Sequence, residues 1–229
     1  MRRRQPAPTP VPFSPAAARA HRVGLGLTPD QVAEGMAAHG VRLLPAHVIG
    51  WESGAVRPSE EEFIALARAL WCPPAQLMGA RPASLRDFRV ARELGQEQAA
   101  RQIGVTPQSY AKAELTGRWA GDAEQTRALA RVLGLGLRTL VWITGHQDDL
   151  DQRLRQVVQG RWQGQLKPVA RLVPVDQEVL ALVLAELQGE YQVPMHWGAA
   201  APAAEEQPRQ LPTPRFWELL SRHRTELPI

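Results

Sequence analysis

The stretch that decides the fold is Gln96-Glu97-Gln98-Ala99-Ala100-Arg101-Gln102-Ile103-Gly104-Val105-Thr106-Pro107-Gln108-Ser109-Tyr110-Ala111-Lys112-Ala113-Glu114. Ala99, Ala100 and Ile103 fall on one face of a short helix from Gln96 to Ile103. Gly104-Val105 makes a tight turn. Thr106-Pro107 then starts a second helix, because a Thr oxygen accepts from free backbone N–H groups and Pro fits a first helical position that needs no N–H donor. Tyr110 and Ala113 continue the inward side, which leaves Pro107, Gln108, Ser109 and Lys112 facing outward. Upstream, Leu85 to Leu94 reads as a helix with Leu85, Phe88 and the stem of Arg92 on one face, ended by Gly95. Downstream, Arg127 to Leu133 supplies a fourth helix, and Leu140, Val141 and Ile143 suit a fifth. Leu133-Gly134-Leu135-Gly136 lacks the Lys-Ser or Lys-Thr of a phosphate loop and reads as a helix end.

The unit occurs twice. Ala65-Leu66-Ala67-Arg68-Ala69-Leu70 returns as Ala128-Leu129-Ala130-Arg131-Val132-Leu133, 63 positions on. Trp51-Glu52-Ser53-Gly54 matches Ala113-Glu114-Leu115-Thr116 at a shift of 62, and Val32-Ala33 matches Ala99-Ala100 at a shift of 67. The difference between the last two shifts requires about five extra residues in the first copy, between Met36 and Leu43. Thr28 and Gln31 are spaced as a capping box at the head of the first copy's second helix. Trp51, Phe63, Leu66 and Leu70 are expected in its core.

Two short helices joined by Gly-Val, the second opening on Thr-Pro, describe a helix-turn-helix. On these residues the chain resembles the Xre, or phage-repressor-like, family of DNA-binding domains. The second copy matches without a gap from Gln96 to Glu114; the first matches through Leu27 to Ala33, Leu44 to Gly54 and Arg57 to Leu70. Together the copies cover about 130 of 229 residues. The resemblance implies an all-α fold with two tandem lambda-repressor-like five-helix domains, at residues 16–80 and 81–146, plus a helical C-terminal region. It also implies a sequence-specific transcriptional regulator whose partner is double-stranded DNA.

The same resemblance assigns roles. A recognition helix presents its first turns to base edges in the major groove. In the second copy Thr106, Pro107, Gln108, Ser109 and Lys112 hold that position. Gln pairs with adenine, Ser with several bases, and Lys with guanine or a phosphate. Gln96 is implied to grip a phosphate, with Arg118, Arg92 and Arg86 as further phosphate contacts. In the first copy the equivalent places hold Pro45, Ala46, His47 and Gly50, so only His47 carries hydrogen-bonding chemistry there, with Arg57 nearby. We therefore expect the second copy to carry most base readout and the first to bind weakly, to read shape, or to contact a protein. Glu60-Glu61-Glu62 fit the acidic first turn of a helix.

Charge agrees with a polyanionic partner. The net charge is +4, but residues 1–25 carry five basic and no acidic groups, and residues 81–146 carry ten basic against six acidic. Residues 1–15 are Pro-rich and are expected to be a disordered basic arm, whose Arg2, Arg3 and Arg4 could enter a minor groove. Residues 147–192 are expected to form a helical region. Within it Val175 to Leu187 is apolar on more than one face and is expected to be buried, either on the second copy or in a homodimer interface. Residues 193–229 read as a Pro/Ala linker and a short apolar helix around Phe216 to Leu220, free to dock on a protein partner or back on the body. No run of 18 apolar residues occurs, and no apolar segment of signal-peptide length follows the basic start. One cysteine, Cys72, and six scattered histidines form neither a disulfide nor a metal cluster. The expectation is a cytoplasmic protein, nucleoid-associated when bound, without cofactor, metal or catalytic residues. A protein-interaction regulator on the same scaffold, such as an antitoxin or a regulatory subunit, is the alternative.

Overall fold

A computed structural model describes residues 11–191, 211–223, 225, 228 and 229. It is all-helical among those residues: thirteen α-helices and one 3-10 turn, with no strand. No described helix is long and apolar enough to cross a membrane. The chain divides into two compact units, residues 1–98 and 99–229.

The first unit holds α1 (Pro15–Gly24), α2 (Pro29–Ala38), α3 (Pro45–Glu52), α4 (Glu60–Ala69), a 3-10 turn at Pro74–Leu77 and α5 (Leu85–Ala91). Its starts are written in the sequence. Ser14 caps α1, Thr28 and Gln31 form the capping box of α2, and Ser59 and Glu62 form that of α4. The expected core residues Trp51, Phe63, Leu66 and Leu70 are all buried, alongside Val32, Met36 and Val48. Gly35 of α2 lets the helix approach α4 closely: a Cβ there would lie 3.3 Å from the Ala69 Cβ. The five extra residues resolve into two parts. α2 has ten residues, whereas α6 (Gln96–Ile103) has eight; six residues, 39–44, separate α2 from α3, whereas three, 104–106, separate α6 from α7 (Pro107–Thr116).

Three expectations for this unit are corrected. Residues 11–15 are not part of an arm: Val11 and Phe13 enter the core, Phe13 packs edge-on against Phe63 at 6.1 Å, and the Ser14 N–H donates to the Leu77 carbonyl. Composition suggested an arm, yet two apolar side chains two residues apart suffice to tie an extended segment to a core. Residues 1–10, with Arg2, Arg3 and Arg4, lie outside the described residues. The second correction concerns α5, which ends at Ala91. Glu93, not Gly95, takes the left-handed conformation (φ 57°), and Leu85, Arg89 and Val90 are its buried residues, while Arg92 is exposed. The face turns because Arg89 is drawn inward. Its guanidinium donates to Glu60 and to the Leu94 carbonyl and is wholly buried. The third concerns α5 itself, expected to open the second copy; it falls within the first unit, and the division comes inside α6, after Gln98.

Trp71 shows what the repeat hides. It follows α4 where Gly134 follows α8 (Ala123–Leu133), 63 positions apart, and both are left-handed, with φ 48° and 66°. Each lets the next N–H reach back to the helix, Cys72 to the Ala67 carbonyl and Leu135 to the Ala130 carbonyl. Glycine takes this geometry without strain; a tryptophan does not.

The second unit continues through α7, α8 and α9 (Leu137–Ile143) into α10 (Gln147–Gln159), α11 (Trp162–Leu172), α12 (Gln177–Tyr191) and α13 (Pro212–Ser221). The last four pack as a helical bundle. Leu180, Val183, Leu184 and Leu187 of α12 are buried, covered by α10, α11 and α13. The chain itself thus covers these four side chains of α12, while Leu182 on the same helix stays 60% exposed. The terminal helix likewise turns inward: Phe216, Trp217, Leu219 and Leu220 are buried. Arg215 clamps it to Glu190 of α12, Arg222 pairs with Glu186, and Arg138 of α9 lies over the Trp217 ring at 5.6 Å. Its apolar side is used at home and is not left for a protein partner. The linker part of 193–229 lies mostly outside the described residues.

Candidate nucleic-acid interface

The second unit presents α7 as the sequence requires. Thr106 is its N-cap, its hydroxyl accepting from the Ser109 N–H at 3.2 Å, and Pro107 occupies the first position. Tyr110 and Ala113 are buried; Pro107, Gln108, Ser109 and Lys112 are exposed. Ala99, Ala100 and Ile103 bury the inner face of α6. Gly104, at φ 82°, makes the turn, and the Val105 N–H closes it onto the Ala100 carbonyl. Gln125 of α8 donates to the Gly104 carbonyl at 3.3 Å.

Beyond α7 the chain runs through Gly117 to Gly121, and this loop is pinned by Trp119. The indole N–H donates to Thr126 at 2.9 Å, the Trp119 N–H donates to the Thr144 carbonyl, and the Trp119 carbonyl lies 3.0 Å from His146 Nε2. Gly145 packs so closely on the loop that a Cβ there would lie 2.7 Å from the Gly117 carbonyl oxygen. Arg118, exposed, is therefore carried on an anchored turn and not on a loose one. Trp119 was not singled out by sequence reasoning. Its signal was an aromatic residue between Gly117 and Gly121, too short a segment for a helix or strand.

Thr106, Ser109, Lys112 and Arg118 line one cleft of about 580 Å³ between α7 and this loop. No acidic residue lines it. The side chains of Lys112 and Arg118 make no ion pair among the described residues, unlike Arg22, Arg68, Arg86, Arg89, Arg153, Arg215 and Arg222. Gln108 stands exposed on the first turn of α7, and Gln96 is the exposed first residue of α6.

The first unit treats its equivalents differently. Leu44 caps α3 without a side-chain hydrogen bond. His47 is exposed, its Nδ1 3.2 Å from the Leu44 carbonyl, and Arg57 is exposed. Around them the surface is apolar: Leu44, Ile49 and Val56 are 68%, 55% and 50% exposed. Arg22 and Glu52 form a two-bonded ion pair at 2.7 Å, with Arg22 also donating to the Leu27 carbonyl, so Glu52 closes α3 as a structural residue. Arg86, expected as a phosphate contact, donates to Glu60 at 3.1 Å. Burial raises the Glu60 carboxyl, but Arg89 and Arg86 together outweigh it and hold the group below its usual range. Burial pushes the Cys72 thiol up, which keeps it protonated. No group of three or more potential metal ligands occurs among the described residues.

No family model, no curated protein and no solved structure matches this chain.

Proposed function

We propose that this protein is a sequence-specific DNA-binding transcriptional regulator, read as a repressor, in which α7 carries most of the base readout. One observation carries the reading. α7 buries Tyr110 and Ala113 while it exposes Gln108, Ser109 and Lys112 together, and Ser109 and Lys112 share with an anchored Arg118 a cleft that no acidic residue lines. These are the groups that contact base edges and phosphates, on an element slender enough for the major groove. The tandem Xre-like arrangement remains part of this proposal, supported by the sequence repeat and by the left-handed Gly40 and Gly104 that follow α2 and α6, each with the next valine N–H reaching back to a helix carbonyl, Val41 to Met36 and Val105 to Ala100. Occupation of promoter DNA is the mechanism; no bond is made or broken.

Fluorescence anisotropy against a pool of genomic fragments, repeated over a range of salt, tests this. The expected result is one or a few fragments bound well above random duplex, with affinity falling steeply as salt rises. Gln108→Ala with Lys112→Ala then removes the preference. Weak binding equal for every fragment, or an unchanged preference in the double variant, overturns the reading. The exposed Leu44, Ile49 and Val56 favour a second role for the first unit, contact with a protein, since a groove-facing helix gains little from apolar side chains.

A further inference from the structure

The cleft between α7 and the 117–121 loop is larger than base edges or a phosphate require. Its volume, about 580 Å³, lies in the range of small-molecule pockets. Its floor is apolar: Val105, Ala113 and Trp119 contribute to it, and Gly121 packs against the indole, where a Cβ would come within 2.6 Å of the ring. Its rim is cationic. Lys112 and Arg118 contribute two positive charges with no ion-pair partner among the described residues, and Ser109 adds a hydroxyl. Apolar floor, cationic rim and no acidic lining define one ligand class, a small organic anion with an apolar body and a carboxylate-like head. The walls are preformed, because Trp119 holds the loop through Thr126 and Thr144 and the Thr106 cap holds the start of α7.

We infer that this cleft is an effector site for a small amphipathic organic anion, whose head group rests on Lys112 and Arg118 and whose body lies toward Trp119. Because Ser109 and Lys112 line the cleft and also belong to the proposed reading face, an occupant competes directly with DNA. The regulatory half rests on the DNA-binding reading; the site itself does not.

The probe is 2-naphthoate, titrated into the full chain without DNA and followed by ligand-detected NMR. A dissociation constant of about 1 mM or tighter is expected for a ligand of this size. Ala120→Trp, an exposed position on the cleft wall, abolishes binding by filling the site. Lys112→Ala with Arg118→Ala weakens it about tenfold or more, as loss of charge-assisted contacts requires. The cationic analogue 2-naphthylmethylammonium does not bind. No binding of naphthoate at about 5 mM, several times the expected constant, overturns the site. Equal binding by the Ala120→Trp variant, or equal binding of the cation, does the same. In a separate arm, naphthoate displaces duplex DNA from the wild type, whereas 2-naphthylmethylammonium at the same concentration does not. If the chain binds naphthoate as expected yet binds no DNA, the function reading fails and the site stands. If it binds both without competition, the effector role fails.

Discussion

Arg89 offers the sharpest test of how the first unit is held. Its side chain is fully buried, donates twice to Glu60 and once to the Leu94 carbonyl, and so ties α5 to the head of α4. Arg89→Leu keeps an apolar stem and deletes the charge. Breaking a fully buried pair costs roughly 3–5 kcal/mol, because the remaining ion is left without its partner. Here the cost is smaller, since the Glu60 side chain is 25% exposed and keeps Arg86 at 3.1 Å. We expect a loss of about 2–3 kcal/mol for the first unit, scaled down from that fully buried case. For a unit of 98 residues this lowers the melting temperature by roughly 8–24 °C. Differential scanning calorimetry of the full chain reads the two units as separate or overlapping transitions. A cycle with Glu60→Gln isolates the pair, with an expected coupling of about 1–2 kcal/mol. The sign with pH also follows. Glu60 is held below its usual range, so its contribution is present above the ordinary glutamate range and is lost as pH falls through its lowered value. The Arg89→Leu variant should lose much of that acid sensitivity. A loss under about 1 kcal/mol, or additive effects in the cycle, would refute the reasoning, because either means that the pair contributes little beyond its desolvation cost.

Other outcomes follow from the same geometry. Gly145→Ala should cost about 2 kcal/mol or more, combining left-handed strain at φ 72° with a Cβ 2.7 Å from the Gly117 oxygen. Because the 117–121 loop must shift, binding at the α7 cleft should weaken with it, measured by naphthoate titration. Gly134→Ala should cost about 1 kcal/mol in urea unfolding, from the left-handed strain that Trp71 already bears in the other copy. Thr106→Ala removes the cap of α7 and should cost about 1 kcal/mol, seen in denaturant unfolding. Lys112→Ala should lower the slope of log affinity against log salt by about 0.9 if its ammonium neutralises one phosphate.

The sequence was legible where local chemistry decides the outcome. Thr28 and Thr106 cap helices because their oxygens reach nearby N–H groups whatever the distant chain does. Gly104 and Gly134 take left-handed turns for an equally local reason. The inward faces of α6 and α7 follow from spacing alone, and so do the outward Gln108, Ser109 and Lys112. Tertiary packing decided the rest. Composition marked residues 11–15 as an arm, but the Phe63 ring provides the surface that Phe13 covers. The pattern of α5 pointed to Phe88 and Arg92, yet the carboxylate of Glu60, some thirty residues away, draws Arg89 inside. The apolar α12 demanded burial without naming its cover, and α10, α11 and α13 supply it. The cleft beside α7 is of the same kind. Thr126, Thr144 and His146, all outside α7, hold the Trp119 loop in place, and no local pattern encodes where that loop comes to rest. Capping and periodicity act over three or four residues, whereas pairing a buried charge or covering an apolar face depends on which groups the whole chain brings near.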